Sequence, residues 1–278
     1  MNAGIQHDDA ILNFYDSDYP SQHLSKYPEN FDAITEYQGI RYDVDRYLHI
    51  AAEVGGTVLE LCCGSGRVAI PLARERHAVT GVDVSPGMLA RCQRKLDTES
   101  REVLERVRLI HQDVTELELP VMDFDLCIIA FNSLLCIAEF DLQRKALQGA
   151  ARHLRPGGIL MVDVVNPMCM KWAGDPYPRP FYSRRDPETG ERYTRFAMME
   201  PFDAEQRQRL YGWYDLEDEH GVVTRRHYAI NWRPIFRFEL ILMLESAGFR
   251  CSSLEGGHRG EPFTSSSPHM FVRAERKS

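Results

Sequence analysis

Four short stretches of this chain combine residue types that could do chemistry on a nucleoside-like ligand. In Val58-Leu59-Glu60-Leu61-Cys62-Cys63-Gly64-Ser65-Gly66-Arg67-Val68-Ala69 an apolar strand runs into a glycine turn that opens a helix. Glycine lets a backbone approach a ligand closely, and the first N–H groups of a helix are free to donate, so Gly64 and Gly66 fit a cofactor loop. An ordinary tight turn has the same spelling. Gly64-x-Gly66-x-x-Ala69 also satisfies a loose dinucleotide fingerprint, so this stretch alone leaves the cofactor open. Asp83, in Gly81-Val82-Asp83-Val84-Ser85-Pro86-Gly87-Met88, closes a second strand, where a carboxylate can accept from two ribose hydroxyls. Ser85 before Pro86 already supplies a helix N-cap, which leaves Asp83 for the ligand. Gln112-Asp113-Val114 closes a third strand. The carboxylate there can accept from an adenine amino group and the Val114 N–H can reach a ring nitrogen, although a solvated loop acid is the plainer reading in isolation. Ile129-Ala130-Phe131-Asn132-Ser133 ends a fourth strand, and polar residues at the carboxyl end of a buried strand meet ligands in doubly wound sheets. Helix capping by Asn132 or Ser133 is compatible with that role.

The elements that must position these residues follow from hydrophobic patterning. Asp43–Ala52 carries apolar residues at helical spacing and stops at Gly55-Gly56. Strands are expected at 57–61, 77–82, 107–112, 125–131 and 159–165, with helices at about 67–76, 86–95 and 142–154. Strands that are apolar throughout, alternating with amphipathic helices, mean a parallel sheet covered on both faces, a doubly wound α/β fold. The pattern breaks after Pro167. Residues 168–232 hold Pro-rich text (Pro176, Pro178, Pro180), then aromatic strands with turns at Asp186-Pro187-Glu188-Thr189-Gly190 and Asp218-Glu219-His220-Gly221. This reads as an inserted antiparallel sheet. The parent pattern returns with a helix at 238–247 and strands at 249–254 and 270–274. The expected division is an N-terminal flap at 1–45, a core at 46–167 and 233–278, and the insert at 168–232.

The chain has 278 residues, ordinary globular composition and a formal net charge of −8. That charge opposes polyanionic partners, so nucleic acid and anionic membrane are not expected. No apolar stretch is long enough to span a bilayer, and Met1 to Asp9 has neither the basic nor the apolar region of a signal peptide. The 7 Cys, none in a CxxC pair, read as reduced thiols of a cytoplasmic protein. No Cys/His pair has close ligand spacing, so no metal is expected.

The four strand-end stretches, in this order, resemble the class I S-adenosylmethionine-dependent methyltransferases. The family's acid-x-x-x-Gly-x-Gly is Glu60, Gly64 and Gly66 here, its second acid Asp83 and its third Asp113; Leu154-Arg155-Pro156-Gly157-Gly158 is also typical. The likeness covers residues 40–166 and, less closely, the chain from 233 onward. Cys62 departs from it, since the family often has glycine there. The tail Gly260-Glu261-Pro262-Phe263 to Ser267-Pro268-His269-Met270 is similar to one bacterial branch, and the insert to the lid of the small-molecule N- and O-methyltransferases. The resemblance implies a seven-stranded, mostly parallel Rossmann-like sheet and S-adenosylmethionine as cofactor. It implies that Gly64 and Gly66 line the methionine moiety, that backbone near Glu60 and Phe131 meets its amino group, and that Asp83 holds the ribose. Met88 then packs on the adenine, Asp113 with Val114 reads its edge, and Val84 is a further cofactor-binding candidate.

For the acceptor the expectation is a small molecule, aromatic or heteroaromatic, held under a lid built from the flap and the insert. The candidate contacts are Tyr15, Tyr37, Asn132, Asn166, Trp172 and Trp232, with Tyr27 a further flap aromatic. Tyr37, His227 and His258 are the candidate bases. Most aromatic residues of the insert are expected to form its own core, and its arginines (Arg192, Arg195, Arg225, Arg226) a solvated face. Two other readings stand beside the transferase: a nicotinamide-dependent oxidoreductase, which has no use for Asp113, and a non-enzymatic cofactor-binding protein. Oligomeric state is not legible.

Overall fold

The computed structural model describes residues 9–19, 23, 42–186 and 189–278. Tyr27 and Tyr37 lie outside the described residues. The rest falls into two compact units. One holds residues 42–135, 139–169 and 235–278, and the other the N-terminal helix with 136–138 and 170–234.

The helices are α1 (Asp9–Asp18), α2 (Asp43–Val54), α3 (Ala69–Arg74), α4 (Pro86–Leu96), α5 (Phe140–His153) and α6 (Arg237–Ser246). The strands of the larger unit are β1 (Thr57–Leu61), β2 (Ala78–Asp83), β3 (Val107–His111), β4 (Phe124–Ile129) and β5 (Leu154–Val165), with β10 (Phe249–Glu255) and β11 (His269–Arg276) after the insert. They form one seven-stranded sheet in the order β10-β11-β5-β4-β1-β2-β3. Pairing is parallel from β5 to β3, and β11 joins antiparallel on both sides. The chain leaves β1 toward β2 and β3, then returns to place β4 on the other side of β1. That reversal opens a crevice at the carboxyl ends of β1 and β4, the place where doubly wound sheets bind ligands.

The centre of the sheet is dry because its strands are apolar on both faces. Val58, Leu59, Leu61, Leu126 and Ile128 have no exposed surface, and Tyr47, Ile50, Ala69 and Leu72 of α2 and α3 close over them. Truncating such a side chain to alanine costs about 2–5 kcal/mol. Helix boundaries follow local chemistry. The Ser85 hydroxyl accepts from the Met88 N–H at 3.3 Å to cap α4, with Pro86 in its first turn.

The second unit is a four-stranded antiparallel sheet, β6 (Asp175–Arg185), β7 (Arg192–Met199), β8 (Gln208–Glu217) and β9 (Val223–Trp232), in that order. Its β6 was missed in the sequence, where Pro176, Pro178 and Pro180 argue against a strand. The prolines are tolerated because β6 is an edge strand paired only to β7. The turn expected after it is present: the Asp186 carbonyl accepts from the Gly190 N–H at 2.8 Å. One face of this sheet is covered by α1. Ile11 and Phe14 pack on Tyr193, Tyr214, Leu216 and Tyr228, with the Phe14 ring 4.6 Å from those of Tyr193 and Tyr214. Asp18 closes α1 by a buried ion pair with Arg195 (3.1 Å), and its carboxylate also accepts from the Tyr193 hydroxyl at 2.9 Å. Arg195 donates further to Tyr228 (2.8 Å) and Tyr182 (3.1 Å). The expectation of a solvated arginine face therefore fails for Arg195, which is buried; Arg192, Arg225 and Arg226 are exposed. Among the described residues no helix is long and apolar enough to cross a membrane.

Candidate functional site

The residues after β1 and β4 carry strained backbone. Cys62 (φ 59°), Phe131 (φ 44°) and Asn132 (φ 64°) are left-handed although none is glycine. Such conformations cost about 1–3 kcal/mol each, persist only when their surroundings hold them, and cluster at ligand sites. Here the holding groups are visible. Asn132 donates its N–H to the Asp163 carbonyl of β5 at 2.9 Å, and its side-chain oxygen accepts from the Val165 N–H at 2.6 Å. The Arg67 guanidinium lies 4.8 Å from the centre of the Phe131 ring, and Arg67 is fixed in turn by Asp43 of α2 at 2.9 Å, a buried pair. Cys62 stands where the resembled family often has glycine because the position is left-handed. The requirement is conformational rather than one of size.

Gly64 and Gly66 make the turn between β1 and α3, with φ of 54° and 80°. A Cβ on Gly66 would stand 2.5 Å from the Cys92 sulfur of α4, so this glycine also serves packing of the turn. Asp83, at the end of β2, is buried and holds the turn directly. Its Oδ2 accepts from the Gly64 N–H and its Oδ1 from the Ser85 N–H, both at 2.8 Å. Each carboxylate oxygen keeps a second lone pair for another donor. Asp113 accepts from the Thr115 N–H at 2.9 Å and its hydroxyl at 2.8 Å, capping the short turn that contains buried Val114. Met88 is buried in the first turn of α4, while Val84 is exposed and gives its carbonyl to the His111 ring nitrogen at 3.0 Å. The sheet thus brings Glu60, Gly64, Gly66, Asp83, Val84, Met88, Asp113, Val114 and Phe131 to the carboxyl ends of four neighbouring strands.

Glu60 is the unusual group. It is buried in the middle of the sheet beneath the turn, and its Oε2 has no hydrogen-bond partner. Burial pushes its carboxyl up to about 8; the Arg67 charge and a hydrogen bond from the Ala69 backbone pull the other way, and Asp83 adds to the rise. Burial thus outweighs the nearby Arg67 charge and leaves Oε2 unbonded, so the site suits a positively charged donor at that oxygen. The donor set fits S-adenosylmethionine on these grounds: an acid with one unbonded oxygen for an ammonium group, a backbone turn of glycines, and an acid at the end of β2 with lone pairs to give.

The acceptor candidates separate differently. Asn166 is buried and its side-chain amide is engaged: Nδ2 donates to the Ser267 carbonyl at 2.9 Å and Oδ1 accepts from the Met168 N–H at 3.1 Å. It splices the end of β5 to the segment before β11, and Asn132 likewise splices β4 to β5. Tyr15, on α1, packs at the edge of the α1 cluster with its ring 5.2 Å from Tyr19. Trp172 is half exposed against Phe202 at 5.5 Å, and Trp232 is partly buried at the end of β9. His227 is exposed on β9, its Nδ1 2.6 Å from the Tyr211 hydroxyl. His258 is buried and bonded to the Asp163 carboxylate at 2.9 Å, an acid that the sequence did not single out. Arg67 was also missed. A cation beside a helix start opposes the helix dipole, and that is the signal that could have flagged it.

Residues 58–158 match the methyltransferase domain family. Over 224 residues the chain is 28% identical to the cypemycin N-terminal methyltransferase of a Streptomyces species, covering 80% of this chain and 84% of that one. Its fold is similar to that of the CcbJ methyltransferase from Streptomyces caelestis (TM-score 0.73, 22% identity, 92% and 97% of the two chains). It is also similar to the sugar N-methyltransferase KedS8 from a Streptoalloteichus species (TM-score 0.66, 19% identity, 85% and 87% of the two chains).

Proposed function

This chain is a class I S-adenosylmethionine-dependent methyltransferase, and from that premise we propose that it methylates an amino nitrogen of a small molecule. The nicotinamide-dependent and non-enzymatic alternatives fall with the premise. The nitrogen reading is supported by the N-terminal methyltransferase and the sugar N-methyltransferase among the similar proteins. It replaces a flat aromatic acceptor as the first choice, because the aromatic excess that motivated such an acceptor is largely accounted for by the packing of α1 on its own sheet.

Bound S-adenosylmethionine supplies an electrophilic methyl group on a positive sulfur. In this reading Glu60 receives the ammonium of its methionine part, and the backbone of Gly64 and Gly66 lines that part. Backbone near Phe131 meets the amino group as well, Asp83 accepts from the ribose hydroxyls, Asp113 and Val114 read the adenine edge, and Met88 packs on it with Val84 beside. The one observation that carries the cofactor assignment is the buried, unpartnered Oε2 of Glu60. The residues' work is alignment and exclusion of water, which suffices for an amine that loses its proton to solvent before reaction. No side chain is assigned as general base. Acceptor recognition is assigned to the antiparallel unit, with Tyr15, Trp172 and Trp232 its candidates.

The test measures S-adenosylhomocysteine release with panels of small amines, phenols and thiols, and locates the added methyl by mass spectrometry. Turnover confined to phenols or thiols sinks the nitrogen reading, and turnover only on intact protein or nucleic acid sinks the small-molecule reading. A chain lacking residues 1–30 is expected to keep cofactor binding and lose turnover. Full activity of that truncation removes α1, and Tyr15 with it, from acceptor recognition.

A further inference from the structure

We propose that Asp163, His258 and His269 form a structural binding site for a single divalent transition metal, with zinc the best match. Asp163 lies on β5, His269 opens β11 and His258 sits on the segment between β10 and β11. They are 95 and 11 residues apart in sequence, which is why no ligand spacing announced them. Folding brings them together. His258 Nε2 is 2.9 Å from Asp163 Oδ2, His269 Nδ1 is 3.1 Å from Asp163 Oδ1, and the three ligand-type atoms all lie within 4.8 Å of one another. The rings are tilted by 55° with centroids 4.9 Å apart, so they converge on the carboxylate without stacking.

Two imidazoles and one carboxylate are a donor set that zinc takes readily. With bonds of about 2.0–2.2 Å, tetrahedral zinc needs ligand atoms roughly 3.3 Å apart. The two Asp163–His spacings fall short of that by a few tenths of an ångström, and the two imidazole nitrogens, within 4.8 Å of each other, would close toward it by ring rotation. Each imidazole would present a lone pair at the nitrogen now facing Asp163, its proton moving to the opposite ring nitrogen. The Tyr47 hydroxyl, 3.2 Å from Asp163 Oδ2, or a water completes four ligands.

Burial settles the kind of site. The side chains of Asp163, His258 and His269 are 0%, 3% and 8% exposed, leaving no open position for a substrate. His258, His269 and the Tyr47 hydroxyl already face this deep carboxylate, and a divalent ion would take the place of the two imidazole protons while stapling the 256–268 segment to β5. The site is independent of methyl transfer chemistry. Metal removal should lower stability without abolishing turnover at moderate temperature.

The test uses the full-length protein, dialysed against a chelator and then buffer. Calorimetry with zinc chloride is expected to show one saturable site per chain, and the melting temperature to rise with zinc concentration. Cobalt(II) is expected to give the intense visible bands of a four-coordinate site. His269→Asn and His258→Asn should each weaken uptake at least tenfold, their fold being checked by retained S-adenosylmethionine binding. Because the cobalt measurement uses the unaltered chain, it decides the question even if a variant fails to fold. Absence of saturable uptake, a six-coordinate cobalt spectrum, or uptake unchanged in folded His269→Asn, as thiols elsewhere would give, overturns the proposal.

Discussion

The two units use the same residue types for opposite ends. In the parallel unit, charged and polar groups sit at strand ends and leave chemistry available: Glu60 keeps an oxygen without a partner, and Asp83 keeps lone pairs beyond the two amides it holds. In the antiparallel unit, groups that look equally reactive close on each other. Arg195, Asp18 and the hydroxyls of Tyr182, Tyr193 and Tyr228 form one buried network whose product is the docking of α1. A tyrosine-rich segment is therefore no better evidence for a ligand than an apolar one, until its hydroxyls are shown to lack partners.

That contrast can be broken at several points. The largest effect is expected from Asp18→Ala, which leaves the Arg195 charge buried without its acid. Such a loss costs about 3–5 kcal/mol. Thermal unfolding should show it, limited proteolysis should cut near α1, and S-adenosylmethionine affinity should stay within about twofold by calorimetry. A matching collapse of cofactor binding would mean the two units do not divide the work this way.

Glu60 gives a pH signature of opposite origin. Its carboxyl is raised from 4.5 to about 8 by burial. A raised acid binds more protons folded than unfolded between those values, so stability is lost as pH rises through that window, by at most about 1.4 kcal/mol per unit. Glu60→Gln should flatten the fall in melting temperature between pH 5 and 8 while weakening the cofactor. A slope unchanged in the variant contradicts the burial argument. Asp83→Asn retains an oxygen for one amide and loses the charge. A hydrogen bond to a charged group is worth about 1.5–3 kcal/mol, so affinity should drop roughly tenfold or more. Unchanged binding in a folded variant removes Asp83 from the cofactor site. At the small end, Arg225→Ala breaks an exposed pair with Asp215 (2.7 Å) and should leave the melting temperature unmoved. A clear shift would show that the outer face of the sheet carries structure of its own.

Legibility followed the range of the interactions involved. The strands of the parallel unit were readable because burial on both faces writes an unbroken apolar run, and their edges agree with the structure to within a residue or two at β1, β2 and β3. Gly64, Gly66 and the Ser85 cap were readable because a turn is local. Arg67 with Asp43, Asp163 with two histidines, and Asp18 with Arg195 were not, because each pair is assembled by packing from 24 to 177 residues away. Alternating prolines concealed β6, since a pattern reader cannot tell an edge strand from a loop when the donors are absent. Asn166 was legible as a polar residue at a strand end, but its amide is engaged within the fold.

The docking of α1 has a consequence for synthesis. The helix leaves the ribosome well ahead of its partners, since Tyr193 and Tyr214 lie 175 and 196 residues after Asp18. At about 5–20 residues per second it waits roughly 10–40 s with Ile11 and Phe14 uncovered. The parallel strands β1 to β5 emerge during that interval and pair among themselves first. This helix is therefore made well before the strands that seat it, and an excess of free helix peptide added during translation should compete for its seat.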